Sequence, residues 1–141
     1  MTPLQLLAYE HNCTKAITIK QPWAWLIIHG DKDVENRTWF AHYRGPVFIH
    51  ASKSFDQDGF EYVQRKGLWH FNNSENFVKG GIVGIVRIEG CTKSYDSEWF
   101  EGPFGFVLYK PQAVKFTPCR GQLGIWDINH PDVCPFNKHR G

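Results

Sequence analysis

Apolar and polar residues alternate over short segments of the chain, a period-two pattern typical of half-buried β-strands. In residues 16–20, Ile17 and Ile19 point to one side and polar residues point to the other. Residues 34–39 and 47–52 repeat the pattern. The first third of the chain therefore predicts three short strands.

The second half of the chain predicts the remaining strands. Residues 82–89 form a nearly continuous apolar run with β-branched side chains, which favours a central strand buried on both faces. Residues 104–110, 113–117 and 123–128 are shorter apolar segments separated by glycine and proline. The pattern thus predicts about six strands in all.

Two helices are predicted between these strands. Residues 23–29 place Trp23, Leu26 and Ile27 on one face, and Gly30 is expected to cap the helix at its C-terminus. A second helix is expected to begin with Ser54 as N-cap, in a capping box completed by Gln57. It would run to about Lys66 and end at Gly67.

Strands that outnumber helices and follow one another closely predict an α+β domain. The expected architecture is a small mixed β-barrel of about six strands with two main helices alongside. With 141 residues the chain has the length of one domain. We expect an N-terminal arm or short leading helix in residues 1–14, the domain in residues 15–128, and a surface tail in residues 129–141.

Composition narrows the classes of partner without naming one. A formal net charge of +2 is far from the strongly basic balance of proteins that coat duplex DNA, although it permits a local basic groove. The aromatic share of 16% is high, and several aromatic residues lie beside basic ones. Such residues serve base stacking or form the core of a small β-rich domain, and composition alone leaves both interpretations open.

The cysteines and the first residues predict a cytoplasmic protein with free thiols. The four cysteines show no C-x-x-C spacing, residues 1–8 lack a secretory signal, and no apolar run reaches the length of a membrane span. The tightest possible metal cluster, His130, Asp132 and Cys134, has a rigid proline between its ligands. No metal is expected, and no cofactor either, since phosphate-binding glycine-rich motifs are missing.

Charged and polar side chains gather between residues 15 and 53. If residues 34–39 are extended, Glu35, Arg37 and Trp39 project from one face, which is unusual for a core strand. Glu35 and Arg37 could form an exposed ion pair worth under about 1 kcal/mol, or a recognition pair inside a cleft. The alternation in residues 47–52 puts Phe48, His50 and Ser52 opposite the buried face.

The segment from Gly30 to Arg37 carries a family signature. Its sequence Gly-Asp-Lys-Asp-Val-Glu-Asn-Arg fits the G-x-K-x-x-E-x-R pattern of the ASCH domain, a branch of the PUA-like superfamily. Residues 18–24, 45–53 and 121–126 also resemble ASCH proteins of the bacterial and phage type. The resemblance spans about residues 15–128 and implies a β-barrel with a cleft that holds RNA or a single nucleobase.

The resemblance leads to a first hypothesis, a non-catalytic module that binds single-stranded RNA or a modified nucleobase or nucleoside. Tryptophans would stack on a base, Glu35 would read a ring edge, and basic side chains would meet phosphates. The expected binding residues are Lys20, Trp23, Lys32, Glu35, Arg37, Trp39, Arg44, Ser52 and Lys53.

Two alternatives stay open. The first is an enzyme, either a metal-independent ribonuclease or a hydrolase of N4-acylated cytidine, with Lys32, Glu35 and His50 as catalytic candidates. In the ASCH amidohydrolases a threonine nucleophile stands where this chain has Glu35, which argues against the same route of amide hydrolysis. The second is a protein-interaction module in which Trp39 and Phe40 dock a partner.

Overall fold

The computed structural model describes residues 1–129. These residues form three helices and six strands, with no helix among them long and apolar enough to cross a membrane. Residues 130–141, which include most of the expected tail and the cluster from His130 to Cys134, lie outside the described residues. The elements in chain order are α1 (Pro3–His11), β1 (Lys15–Gln21), α2 (Trp23–Ile28), β2 (Val34–Arg37), β3 (Gly45–Phe55), α3 (Gln57–Lys66), β4 (Gly81–Thr92), β5 (Phe104–Pro118) and β6 (Ile125–Asp127).

The strands form one mixed sheet in the order β2-β5-β4-β3-β1-β6. Only β1 and β3 pair in parallel, since α2 and the segment after it separate them along the chain; the other described pairs are antiparallel. The predicted α+β class with about six strands is confirmed. Within residues 1–129 no ladder joins the end strands β2 and β6, so the sheet is not closed into a barrel.

Strand β3 lies in the middle of the core and is covered on both faces. Val47 and Ile49 belong to the cluster beneath α2, and Phe48 belongs to a second cluster with Leu4 and Leu7 of α1. The prediction that Phe48 and His50 face away from the core is wrong, since both are buried. Helix α1 covers Phe48 through Leu4 and Leu7, whereas Trp126 and the loop at Cys119 and Gly121 cover His50.

Strand β5 is one long element where the sequence predicted two. Pro111 does not end it, because β2 pairs with β5 only from Phe104 to Val107, and beyond that point no strand within residues 1–129 pairs with the second edge of β5. Lys110 has a left-handed backbone with φ of 54°, and the register with β4 shifts in this region. The irregularity is therefore absorbed as β-bulges.

The predicted helix caps are confirmed in part. Gly67 ends α3 in the left-handed conformation, but the N-cap is Asp56 rather than Ser54, because β3 continues through Phe55. Asp56 Oδ1 accepts from the Gly59 backbone N–H at 2.9 Å. At the end of α2 the C-cap is His29 rather than Gly30.

Gly30 is required for a different reason. A Cβ at this position would lie 2.8 Å from the Leu26 carbonyl oxygen, so only glycine allows the chain to turn back against α2. The Lys32 backbone N–H also donates to the Leu26 carbonyl, at 3.2 Å. The turn after α2 thereby brings the signature residues close to the core.

Candidate nucleic-acid interface

The signature residues Lys32, Glu35 and Arg37 form one connected ion-pair network. Lys32 Nζ donates to the Val34 carbonyl and lies 3.3 Å from Glu35 Oε1. The period of β2 puts Glu35 and Arg37 on the same face, where Arg37 Nε donates to Glu35 Oε2 at 3.1 Å. Glu35 and Arg37 are therefore close together in the folded chain, as their spacing predicts.

Lys32 is the most deeply buried cation of this network. Its residue is 5% exposed, and its Nζ lies 5.6 Å from the centroid of the Trp23 ring. Burial lowers the pKa of Lys32, while the carboxylate of Glu35 opposes that shift by favouring the charged form. Two of the three ammonium donors have protein acceptors, so Lys32 is held in place rather than free to follow a flexible ligand.

Arg37 joins two strands that lie far apart in the order of the sheet. Its Nη2 donates to the Thr18 carbonyl at 2.8 Å, so a side chain of the end strand β2 reaches β1. The sheet must curl strongly for this contact to form. The sheet is therefore open in its backbone hydrogen bonds but bridged by the last residue of the signature.

A pocket of about 230 Å³, which we call the tryptophan pocket, opens beside Lys32 and Glu35. Two indole rings line it, each held by a carboxylate. Trp23 Nε1 donates to Asp56 at 2.9 Å, and Trp99 Nε1 donates to Asp31 at 3.1 Å. The lining residues are Trp23, Lys32, Glu35, Asn36, Asp56, Tyr62, Leu68, Glu98, Trp99 and Glu101.

Asn36, an unspecified position of the signature, fixes the loop that brings Trp99 to this pocket. Its Nδ2 donates to the Trp99 carbonyl at 2.9 Å, and its Oδ1 accepts from the backbone N–H groups of Glu101 and Gly102. Sequence reasoning missed both Asn36 and Trp99. The available signals were the alternate face of β2 and a tryptophan within an acidic loop, where an apolar core residue would not be expected.

The tryptophan pocket carries an excess of negative charge. Glu35, Asp56, Glu98 and Glu101 face a single cation, Lys32, which Glu35 already pairs. Coulomb repulsion opposes the entry of a phosphate here. A planar ring with N–H donors fits this set of acceptors better.

A second pocket, of about 670 Å³, lies beside His50 and is called the histidine pocket below. His50 is 2% exposed and its Nε2 lies 2.8 Å from the Cys119 carbonyl oxygen. Desolvation lowers the pKa of His50, and it raises the pKa of the Cys119 thiol to about 11, so the thiol stays protonated at neutral pH. The lining residues are Thr18, His50, Ser52, Lys53, Gly80, Cys119, Arg120, Gly121, Gln122 and Leu123.

The structure divides the predicted site residues between these two pockets. Trp23, Lys32 and Glu35 line the first, whereas His50, Ser52 and Lys53 line the second. The three catalytic candidates Lys32, Glu35 and His50 therefore do not share a pocket.

Four of the expected binding residues line neither pocket. One is Arg37, whose guanidinium donates to Glu35 and to the Thr18 carbonyl. Trp39 packs edge-on against Phe106 with ring centroids 5.0 Å apart. Arg44 donates to the Ala41 carbonyl at 2.6 Å, and Lys20 is exposed on β1.

No group of three or more histidine, cysteine, aspartate or glutamate side chains within residues 1–129 is arranged to hold a metal ion. The three cysteines in that part of the chain, Cys13, Cys91 and Cys119, are not paired in disulfides.

Comparison with known proteins identifies a family for this fold and site. The family model for the ASCH domain matches residues 17–118. Activating signal cointegrator 1 from Homo sapiens is 29% identical over 128 residues, and its counterpart from Mus musculus is 27% identical over 128 residues. Each match covers 80% of this chain and 22% of the relative, so the chain spans about a fifth of the length of these proteins.

Proposed function

Since the chain belongs to the ASCH domain family, a PUA-like family, we propose that it binds RNA by taking one nucleobase into the tryptophan pocket. The observation that carries the proposal is the joint presence of Trp23, Trp99 and the fixed Glu35 carboxylate around one small cavity. Stacking on an aromatic ring contributes roughly 1–3 kcal/mol per base, and it does so without a high net charge.

The size of the tryptophan pocket favours a single ring system. Its volume of about 230 Å³ is below the roughly 300–1,000 Å³ of pockets for drug-sized ligands. A base that has left the stack fits such a pocket, whereas a base pair does not. Single-stranded RNA offers unstacked bases at no cost of unpairing, so it is the expected form of the ligand.

Glu35 provides the edge recognition. Its two oxygens accept from Lys32 and Arg37, but a carboxylate has about four acceptor sites, so capacity remains for an amino or ring N–H group of a base. The cations on both sides hold the carboxylate in one orientation. An oriented acceptor discriminates between base edges better than a mobile one.

The test is the affinity of short single-stranded RNA oligomers, measured by fluorescence anisotropy. Trp23→Leu removes the aromatic face and should weaken binding roughly 5- to 150-fold, the equivalent of one stacked base. Trp23→Phe keeps a ring and should retain most of the affinity. Tyr109→Leu, at an exposed aromatic residue of β5 outside both pockets, is the control and should bind like the wild type.

Equal affinity for the wild type and Trp23→Leu, with thermal unfolding showing both folded, would remove the tryptophan pocket from the proposal. The same samples should be run on a denaturing gel after incubation. Intact RNA is expected. Cleavage lost in Lys32→Met would instead favour the ribonuclease alternative.

A further inference from the structure

The histidine pocket differs from the tryptophan pocket in the sign of its charge. Lys53 and Arg120, both exposed, line it, and no carboxylate of residues 1–129 does so. The two pockets therefore suit different parts of a nucleotide. The acidic tryptophan pocket accepts the ring, and the basic histidine pocket attracts an anionic group.

His50 forms part of the wall of the histidine pocket, with one ring nitrogen buried behind that wall. Because the Cys119 carbonyl can only accept, Nε2 carries the hydrogen and Nδ1 of the neutral ring is an acceptor. Nδ1 is buried and has no hydrogen-bond partner among residues 1–129. The backbone at Gly121 lies against this nitrogen, so a ligand in the pocket contacts other atoms of the wall.

Two glycines shape this pocket. A Cβ at Gly121 would lie 2.6 Å from Thr18 Oγ1 and 3.0 Å from His50 Nδ1. The loop can approach both side chains this closely only because residue 121 is a glycine. Gly80 has φ of +83°, and a Cβ there would lie 3.5 Å from Lys53 Cε. The Lys53 stem thus lies along the backbone at Gly80, which limits the positions of its ammonium group.

A continuous chain of polar contacts connects the two pockets. It runs from Lys32 through Glu35 and Arg37 to Thr18, whose side chain lines the histidine pocket and accepts from Trp126 Nε1 at 3.1 Å. One ligand strand can therefore reach both pockets across the bridged gap between β1 and β2.

From these observations we propose that the histidine pocket binds a phosphate group of the same RNA strand, a role that rests on the function proposed above. Lys53 and Arg120 pair with the phosphate oxygens. The site needs no base contact and adds affinity independently of sequence.

The experiment measures how the affinity of single-stranded RNA depends on salt. The double variant Lys53→Ala/Arg120→Ala should reduce the slope of log K against log salt by about 0.7, since the site neutralises one phosphate and each phosphate neutralised on a single strand contributes about 0.7. The matched control Arg87→Ala/Lys115→Ala removes one arginine and one lysine from exposed positions of β4 and β5 outside both pockets, and its slope should equal that of the wild type. An unchanged slope in the pocket variant, or an equal decrease in the control, overturns the proposal.

Inorganic phosphate separates this inference from the proposed function. Titration into the wild type, followed by NMR, should shift the amide signals of Gly80 and Gly121, and Lys53→Ala/Arg120→Ala should lose the shifts. If phosphate binds there and RNA does not bind at all, the anion site stands and the proposed function fails. If RNA binds and phosphate causes no shift in the histidine pocket, the proposed function stands and this inference fails.

Discussion

Arg37 Nη2 donates to the carbonyl of Thr18 at 2.8 Å, and this contact ties the end strand β2 to β1 across the open side of the sheet. The same guanidinium holds Glu35 through Nε. One residue of the signature therefore serves both the shape of the sheet and the position of the candidate recognition group.

Replacement of Arg37 by alanine should destabilise the fold by about 1–3 kcal/mol, because the Thr18 carbonyl and one oxygen of Glu35 lose a charged donor. Urea unfolding measures the change. The exposed pair of Arg87 and Glu89 gives the comparison, and Arg87→Ala should change the free energy of unfolding by less than about 1 kcal/mol. Equal effects of the two substitutions would show that the bridge does not hold the strands together.

Removal of the charge of Glu35 should destabilise the fold more than the loss of Arg37. In Glu35→Gln the buried ammonium of Lys32 loses its counter-charge, which should cost about 3–5 kcal/mol and lower the pKa of Lys32 further. The double variant Lys32→Met/Glu35→Gln should recover much of this loss, since no uncompensated charge remains in the pair. Strictly additive losses in this double-mutant cycle would contradict the coupling of the two residues.

His50 should make stability depend on pH below neutrality. Its pKa is lowered in the folded protein, so at neutral pH the ring is neutral in both states. As the pH falls below about 6.5, the unfolded chain takes up the proton first, and the free energy of unfolding decreases until the folded-state pKa is reached.

The variant His50→Gln keeps a donor for the Cys119 carbonyl but does not titrate. The difference in free energy of unfolding between the wild type and His50→Gln should therefore shrink from pH 7 to pH 5, as measured by urea unfolding. A constant difference over this range would mean that His50 is not held neutral by its surroundings.

Substitutions at Trp39 and Trp23 should affect stability and RNA binding differently. Trp39 packs on Phe106 and lines neither pocket, so Trp39→Leu should lower the midpoint of thermal unfolding and leave RNA affinity nearly unchanged. Trp23→Leu should show the reverse pattern, with a large loss of RNA affinity and a smaller effect on the midpoint of thermal unfolding. A loss of RNA binding in folded Trp39→Leu would restore the expectation that this indole stacks on a base.

The periodicity of apolar residues is sufficient to predict much of the fold, because each strand buries at least one face. The alternation in β1 and the apolar run of β4 predict those strands, although β4 extends to Thr92; the pattern of residues 1–14 fits an arm as well as the helix α1. The local sequence of β3 does not predict that its second face is also buried. Phe48 is buried by α1 and Trp126, which are remote in sequence.

The site was predictable only where its residues are neighbours in sequence. Glu35 and Arg37 lie two residues apart on one strand, so their spacing predicts that they share a face, whereas the resemblance to the ASCH signature is what adds Lys32 to them. Trp99 and Arg120 reach the pockets through loops whose course depends on tertiary contacts, such as Asn36 with the Trp99 carbonyl. The separation of His50 from Lys32 likewise follows from the curl of the sheet, which no local pattern encodes.

The most direct measurement is a crystal structure of the protein with a short single-stranded RNA. We expect one unstacked base in the tryptophan pocket, in contact with Trp23 and with an N–H edge within hydrogen-bonding distance of Glu35. RNA bound with all its bases outside that pocket would contradict the central claim.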